Sequence, residues 1–275
     1  MEPVKYINNK DFLREIHLSK NTYCAFTDPK YSEYDAIVHS LDELTPEFIA
    51  ALCEKKGKIE DALVFRVMMD GHVPEHPEGK KRKKGTGTTT LIRTVFDPFR
   101  HFISRDGQFV EVGRSHWIGS IETGKFSGDH GKMTNRLAYM YMLLVRRISL
   151  ASRWRAYSYV DEMRSHALVQ LSQVGLQFNE AKSDNPFAFY TQVVINCFER
   201  IRLVEKKNQR TRDELLIAAG VAPSFACQIE HEIAQRFETE AAIAEERRIE
   251  LGLPEPELIV IATPPKRVRK PKAVS

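Results

Sequence analysis

From Thr134 to about Glu214 the apolar residues recur at three- and four-residue spacings in three successive runs, and only helices lying against one another bury all three. The first run carries Leu137, Met140, Tyr141, Leu144, Val145 and Ile148. The second, Tyr159 to Phe178, carries Met163, Ala167, Val169, Leu171, Val174 and Leu176, with Ser158 or Tyr159 near its start. The third follows the polar pair Asp184 and Asn185, a capping signal, with Pro186 in the first turn where a helix accepts it. It repeats Val194, Ile195, Phe198, Ile201 and Val204. The breaks between runs are short, so neighbouring helices must be antiparallel, and a compact bundle is predicted.

On the N-terminal side, Asn8 or Asn9 is placed to cap a helix over Lys10 to Ser19 with Phe12, Leu13 and Ile16 on one face. Thr45-Pro46 opens another helix, burying Phe48, Ile49 and Leu52 and ending near Gly57. Ile59 to Met69 fits neither period and reads as a short helix or a strand. Gly71 to Thr90 is a predicted loop holding Pro74, Pro77 and a cation block, Lys80 to Lys84. Leu91 to Glu122 is richer in β-formers, and R-D-G-Q (Arg105 to Gln108) is placed to turn a hairpin, with Trp117 and Ile118 docking beside it. Gly119 to Lys132, with four glycines, reads as a linker. Gln228 to Leu251 is a charged helix whose Ile229 and Ile233 give it a thin apolar face. The fold class expected is mainly α: a helical bundle, a small α/β or β-containing insertion, and a disordered basic tail. The segments are 1–57, an N-terminal helical part; 58–130, an inserted module; 131–218, the helical core; 219–252, the charged helix; and 253–275, an extended proline-framed tail.

A chain of 275 residues, 42% hydrophobic, can bury one large core or two modest ones. Its formal charge of +4 is unevenly spread over Lys80 to Lys84, Arg200 to Arg212 and the last ten residues, which points to nucleic acid or another acidic surface. Cys24, Cys53, Cys197 and Cys227 form no CxxC pair, so neither a zinc ribbon nor a disulfide scaffold is indicated, and Cys197 reads as a small core residue. The histidines make no H-E-x-x-H motif, and K-K-G-T-G-T-T-T lacks the G-K-S/T ending of a phosphate loop. Asp161 and Glu162 are adjacent and therefore diverge on a helix, which suits no two-carboxylate chemistry. The expectation is a protein with no catalytic residues, no metal and no cofactor. With no signal-like N-terminus and no run of about 18 apolar residues, it is also expected to be soluble, cytoplasmic and free of membranes.

The stretch Phe178 to Gln209 combines aromatics at its start, Phe187, Phe189 and Tyr190, with cations about three turns on. Such an order suits a rod that stacks unpaired bases on rings and holds a phosphate backbone beyond them. An amphipathic helix with core aromatics and a solvated basic face gives the same pattern.

Y-I-N-N-K-D-F-L (Tyr6 to Leu13), Leu137 to Ser149 with W-R-A-Y-S-Y-V-D-E-M (Trp154 to Met163), and Leu176 to Lys207 with F-N-E-A-K-S-D-N-P-F-A-F-Y-T stand out together. These three places resemble the second region of bacterial sigma factors, most closely the divergent branch that T-even-type phages use for late transcription. The resemblance covers mainly residues 133 to 215 and leaves 58 to 125 unmatched. It implies a factor that brings RNA polymerase core to late phage promoters and opens a short AT-rich −10-like element. By position, Asp161, Glu162, Arg164, Gln170, Gln173 and Gln177 would meet the coiled coil of the largest polymerase subunits, a mixed-sign polar face suited to a mixed-charge partner. Phe187, Phe189 and Tyr190 would stack on the opened strand of promoter DNA, Gln192 or Asn196 would hydrogen-bond base edges, and Arg200, Arg202, Lys206, Lys207 and Arg210 would hold phosphates. Housekeeping members carry a tryptophan pair where Gln192 and Val193 stand here, which implies assisted rather than independent melting. Glu257 to Ile261 (E-L-I-V-I) is the nearest counterpart of the branch's segment for a sliding clamp or phage co-activator, without its aromatic. The competing expectations are a DNA-binding accessory protein of replication or packaging that reads no sequence, and a helical virion or scaffold protein.

Overall fold

Asn8 begins the first helix, its side-chain oxygen accepting the Asp11 N–H at 2.7 Å. That cap launches α1, Asn9–Asn21, which buries Phe12 and Ile16 completely. The computed structural model describes residues 7–75, 91–105 and 107–251. Tyr6, Lys80 to Lys84, Glu257 to Ile261 and the basic tail lie outside them. The chain forms two units, Met1–Val204 and Glu205–Ser275.

Within the first unit, two strands follow α1: β1, Cys24–Phe26, and β2, Ala36–Val38. Thr45 then caps α2, Pro46–Lys56, accepting the Phe48 N–H at 3.3 Å, and the helix ends at Gly57. α2 buries Ile49 and packs Leu52, but Phe48, expected inside, stays 39% exposed. Ile59 to Met69 resolves into a single turn of 3-10 helix, Glu60–Ala62, and a strand, β3, Val64–Val67. β3 runs parallel to β2, with α2 in the crossover between them, an arrangement parallel strands require. The predicted hairpin is present: β4, Arg100–Arg105, pairs antiparallel with β5, Gln108–Ser115, in the register Arg105↔Gln108. Gly107 has φ +74, a conformation that glycine adopts without a Cβ penalty. The sheet order is β1-β5-β4-β3-β2. It therefore recruits two strands from 1–57, the segment expected to be helical, and the strands are not confined to 58–130. The predicted linker 119–132 also contains a strand: β6, Trp117–Ile118, pairs with β7, Lys125–Phe126.

The helical core begins at Thr134, whose hydroxyl accepts the Leu137 N–H at 3.2 Å. It comprises α3, Asn135–Ser149; a single turn, α4, Ser152–Arg155, that buries Trp154; and α5, Val160–Val174. α5 is shorter than the expected run to Phe178, because Gly175–Gln177 tightens into a 3-10 turn. A Cβ on Gly175 would lie 2.4 Å from the Tyr141 hydroxyl, so only glycine fits under that ring. α6, Pro186–Ala218, runs four residues beyond the predicted Glu214 and contributes to both units. Its start is capped by Asn185, whose side-chain oxygen accepts the Ala188 N–H at 3.0 Å.

One hydrophobic core joins α1, α3, α4, α5 and the first half of α6 with Phe96 and Phe99 from the approach to β4. A second core, around Phe65, Val67, Phe102 and Ile49, lies between the sheet and α2. β3 is buried along its whole length, and its alternation sends Phe65 and Val67 toward α2 and Arg66 to the opposite face. The fold of this unit is thus mainly helical with a small sheet. In the second unit α6 continues to Ala218, and α7, Phe225–Glu250, follows with Ser224 as its cap. Asp213 holds that cap, accepting from both the Ser224 N–H and hydroxyl at 2.8 Å.

Candidate nucleic-acid interface

A helix advances about 100° per residue, so the aromatics Phe187, Phe189 and Tyr190 cannot share one face. Tyr190 is entirely buried: its ring lies 5.0 Å from Phe12 and 4.9 Å from Tyr141, and its hydroxyl donates to the Gly175 carbonyl at 2.8 Å. The expectation that Tyr190 presents a ring to DNA is corrected, because that phase of the helix is also occupied by the buried Val194, Phe198 and Ile201. Phe187 is 37% exposed, but its ring approaches Phe12 at 6.5 Å and its N–H is held by the Asn9 side chain at 3.1 Å. Phe189 is half-buried against Phe178. It alone of the three shares a phase with Gln192, Asn196 and Arg200, at offsets of 3, 7 and 11 residues.

That row, within the first unit, is the polar surface the structure assembles. Gln192, Asn196 and Arg200 are exposed, and the Gln192 amide donates to the Asn196 side-chain oxygen at 2.6 Å. The pair therefore presents an ordered amide array, the type of group that hydrogen-bonds base edges. Arg202 stands apart from the row and is engaged by Glu199 at 2.8 Å, which Arg153 also approaches at 3.8 Å. A cation neutralised in this way is a poor phosphate ligand. Lys206, Lys207 and Arg210 are exposed and lie in the second unit.

The six positions assigned to polymerase do not form one face. Asp161, Glu162 and Gln173 are exposed on the outer side of α5, around the exposed Val169. Arg164 and Gln170 flank the buried side about 120° apart at about 100° per residue. Arg164 is committed to Asp161 at 2.6 Å and to the Ser149 hydroxyl at 2.7 Å, and Glu162 meets His166 at 3.7 Å. Gln177 is exposed in the 3-10 turn beyond α5.

Beneath the entry to α6 lies a charged cluster assembled from residues far apart in the sequence. The Arg66 guanidinium sits 3.9 Å from the ring centroids of both Tyr34 and Phe99, sandwiched between them. It donates to Glu180 Oε2 at 2.5 Å, to His101 Nε2 at 3.0 Å and to His17 Nδ1 at 3.2 Å. Lys20 Nζ donates to the Phe178 carbonyl at 2.8 Å and lies 3.6 Å from Glu180 Oε1. Tyr34 donates to Glu180 Oε2 at 3.2 Å. Two cations thus share one carboxylate, with side chains 2% (Arg66), 6% (Lys20) and 5% (Glu180) exposed. The cluster ties the loop 178–185, from which α6 starts, to α1 and to the inner face of the sheet. Its only sequence signal is Arg66 itself, a cation inside the apolar string V-F-R-V.

Burial resists the charge on Glu180, but Lys20 and Arg66 overcome it and hold the carboxyl below its usual range. Burial pushes Lys20 below the ordinary lysine value, against the pull of Glu180. Burial, then Arg66, lowers His17 to about 4, and the same two causes place His101 well below 6.5. Both rings are therefore neutral at neutral pH, as their acceptance of Arg66 N–H groups requires. Unfolding frees them to take protons, so the stability they contribute is complete above about pH 6.5 and is lost as pH falls toward 4. For His17 alone, the interval from 6.5 to about 4 corresponds to about 3 kcal/mol. His72, lowered to about 4, and His116, lowered to about 3, both chiefly by burial, act in the same sense. Urea unfolding between pH 7 and pH 4 should show the midpoint falling steeply below about pH 6.5. A midpoint that is flat through this window would mean that the rings are solvated.

Among the described residues no group of three or more His, Cys, Asp or Glu is arranged to hold a metal ion, and no helix is long and apolar enough to cross a membrane. The four cysteines are free. No protein-family model, curated protein or solved structure matches this chain.

Proposed function

We propose that this protein is a sigma-type factor that directs RNA polymerase core to late phage promoters and holds the opened strand of a short AT-rich −10-like element. The reading is carried by one observation: Phe189, Gln192, Asn196 and Arg200 share one phase of α6, a ring followed by two amides and a cation, the last three exposed. A base turned out of the stack rests on Phe189, the amides of Gln192 and Asn196 read base edges, and Arg200 holds phosphate. Within the second unit, taken by itself, the exposed Lys206, Lys207 and Arg210 are cations suited to phosphate. The outer side of α5, with Asp161, Glu162 and Gln173, is the surface offered to the polymerase coiled coil. The protein works without a cofactor and catalyses nothing itself. A clamp or co-activator partner is left to the C-terminal segment outside the described residues.

Run-off transcription with bacterial core polymerase on randomised upstream DNA tests this directly. The protein should move start sites to one short AT-rich element, and the isolated protein should bind DNA weakly with a steep salt dependence. Asn196→Ala should relax preference at one base position, a loss of about 1–3 kcal/mol of discrimination, whereas Arg200→Ala should weaken all sequences alike. Unaltered start sites in the presence of the protein, or loss of co-purification with core polymerase at about 0.3 M salt, would favour the alternative of a DNA-binding accessory protein that reads no sequence.

A further inference from the structure

No residue of α7 is buried, although the helix runs for 26 residues, about 39 Å at about 1.5 Å per residue. Along it Ile229, Ile233, Arg236, Glu240, Ile243 and Arg247 succeed one another at intervals of four, three, four, three and four. That is the spacing of a coiled-coil seam, and all six side chains are exposed. An apolar seam interrupted by charges at fixed points specifies how its partner must lie.

We propose that α7 is a self-association element that pairs antiparallel with α7 of a second copy of this chain. The charges select both the occupant and the direction. In an antiparallel register centred on residue 238, Ile233 faces the partner's Ile243 and Arg236 faces the partner's Glu240. Symmetry repeats each layer, so the centre holds two Arg–Glu layers flanked by two Ile–Ile layers. In the outer layers the aliphatic stem of the partner's Arg247 covers Ile229. Phe237, 67% exposed beside the seam, meets the partner's Phe237 next to the two-fold axis. A parallel, in-register pair would instead set Arg236 on the partner's Arg236 and Glu240 on the partner's Glu240, two like-charge layers in the middle of the seam. One contact opposes the antiparallel pair, Glu232 against the partner's Glu246, but it lies at the edge of the seam where water screens it.

The proposal stands independently of the DNA reading, and its test needs no nucleic acid. Sedimentation equilibrium of the full chain, from micromolar to hundred-micromolar concentration, should show a monomer–dimer equilibrium. Arg236→Glu and Glu240→Arg should each weaken dimerisation by about tenfold or more, because either change makes both central layers like-charged. The double reversal, Arg236→Glu with Glu240→Arg, should restore it, because residue 236 again faces an opposite charge at residue 240. Circular dichroism of each variant confirms that the helix persists. A wild-type chain that stays monomeric, a dimer indifferent to the single reversals, or a double reversal that restores nothing would each overturn the proposal.

Discussion

Glu180→Ala should cost about 3–5 kcal/mol of folding stability, more than most single surface changes and comparable to emptying part of the core. Among the described residues, Glu180 is the carboxylate paired with both the buried Arg66 and the buried Lys20. Without it, the neutral rings of His17 and His101 still accept from Arg66, but two positive charges remain out of water with no anion between them. Glu180→Gln should cost less, since an amide oxygen retains the hydrogen bonds from Arg66 and Tyr34 while losing the charge. The double change Arg66→Met with Glu180→Leu should cost clearly less than the sum of the single changes, because it removes the charge together with its partner. Urea unfolding of the four proteins followed by far-UV circular dichroism measures all of this. A loss of under about 1 kcal/mol for Glu180→Ala would show that water replaces the carboxylate and that the cluster is not sealed.

The cluster also shows where sequence reasoning loses its grip. Helix starts were legible because a cap is a local event: Asn8, Thr45, Thr134 and Asn185 each hold an N–H three residues ahead, so residue type and spacing suffice. The hairpin of β4 and β5 was legible for the same reason. Arg66 was not, because its carboxylate partner is 114 residues away, and a lone cation in a short apolar run reads as an edge rather than as the centre of a core. β1 and β2 escaped because strands of three residues carry no period, and both pair with chain far along the sequence. In the candidate site the polar row Gln192, Asn196 and Arg200 was visible from four-residue spacing alone. Grouping Phe187, Phe189 and Tyr190 as one aromatic patch treated neighbours in sequence as neighbours in space. Helical phase separates them, and phase was available from the sequence: Tyr190 precedes Val194, Phe198 and Ile201 on the apolar stripe, whereas Phe189 precedes Asn196 and Arg200.

That separation yields the second large effect. Tyr190→Ala removes a ring packed among Phe12, Tyr141, Phe178 and Phe189, with centroids 5.0, 4.9, 6.4 and 5.3 Å away. An aromatic deletion in a close-packed core costs about 3–5 kcal/mol, and this one also leaves the Gly175 carbonyl without its donor. Tyr190→Phe isolates the second part, and about 1–2 kcal/mol is expected for it. Burial pushes the Tyr190 hydroxyl far above the ordinary tyrosine value, so it stays protonated and donating across the working pH range. Phe189→Ala should cost less stability than Tyr190→Ala, because its ring is only half-buried, yet it should cost more function. On a duplex promoter Phe189→Ala should fail while initiating on a template already opened at the −10-like element. Tyr190→Ala should lose activity on both templates in proportion to the fraction of unfolded chain. The two variants therefore separate a ring proposed to meet DNA from a ring that positions the helix. If Tyr190→Ala unfolded at the wild-type urea concentration but failed only on duplex DNA, the ring would have to leave the core to act. The burial argument would then be overturned for this residue.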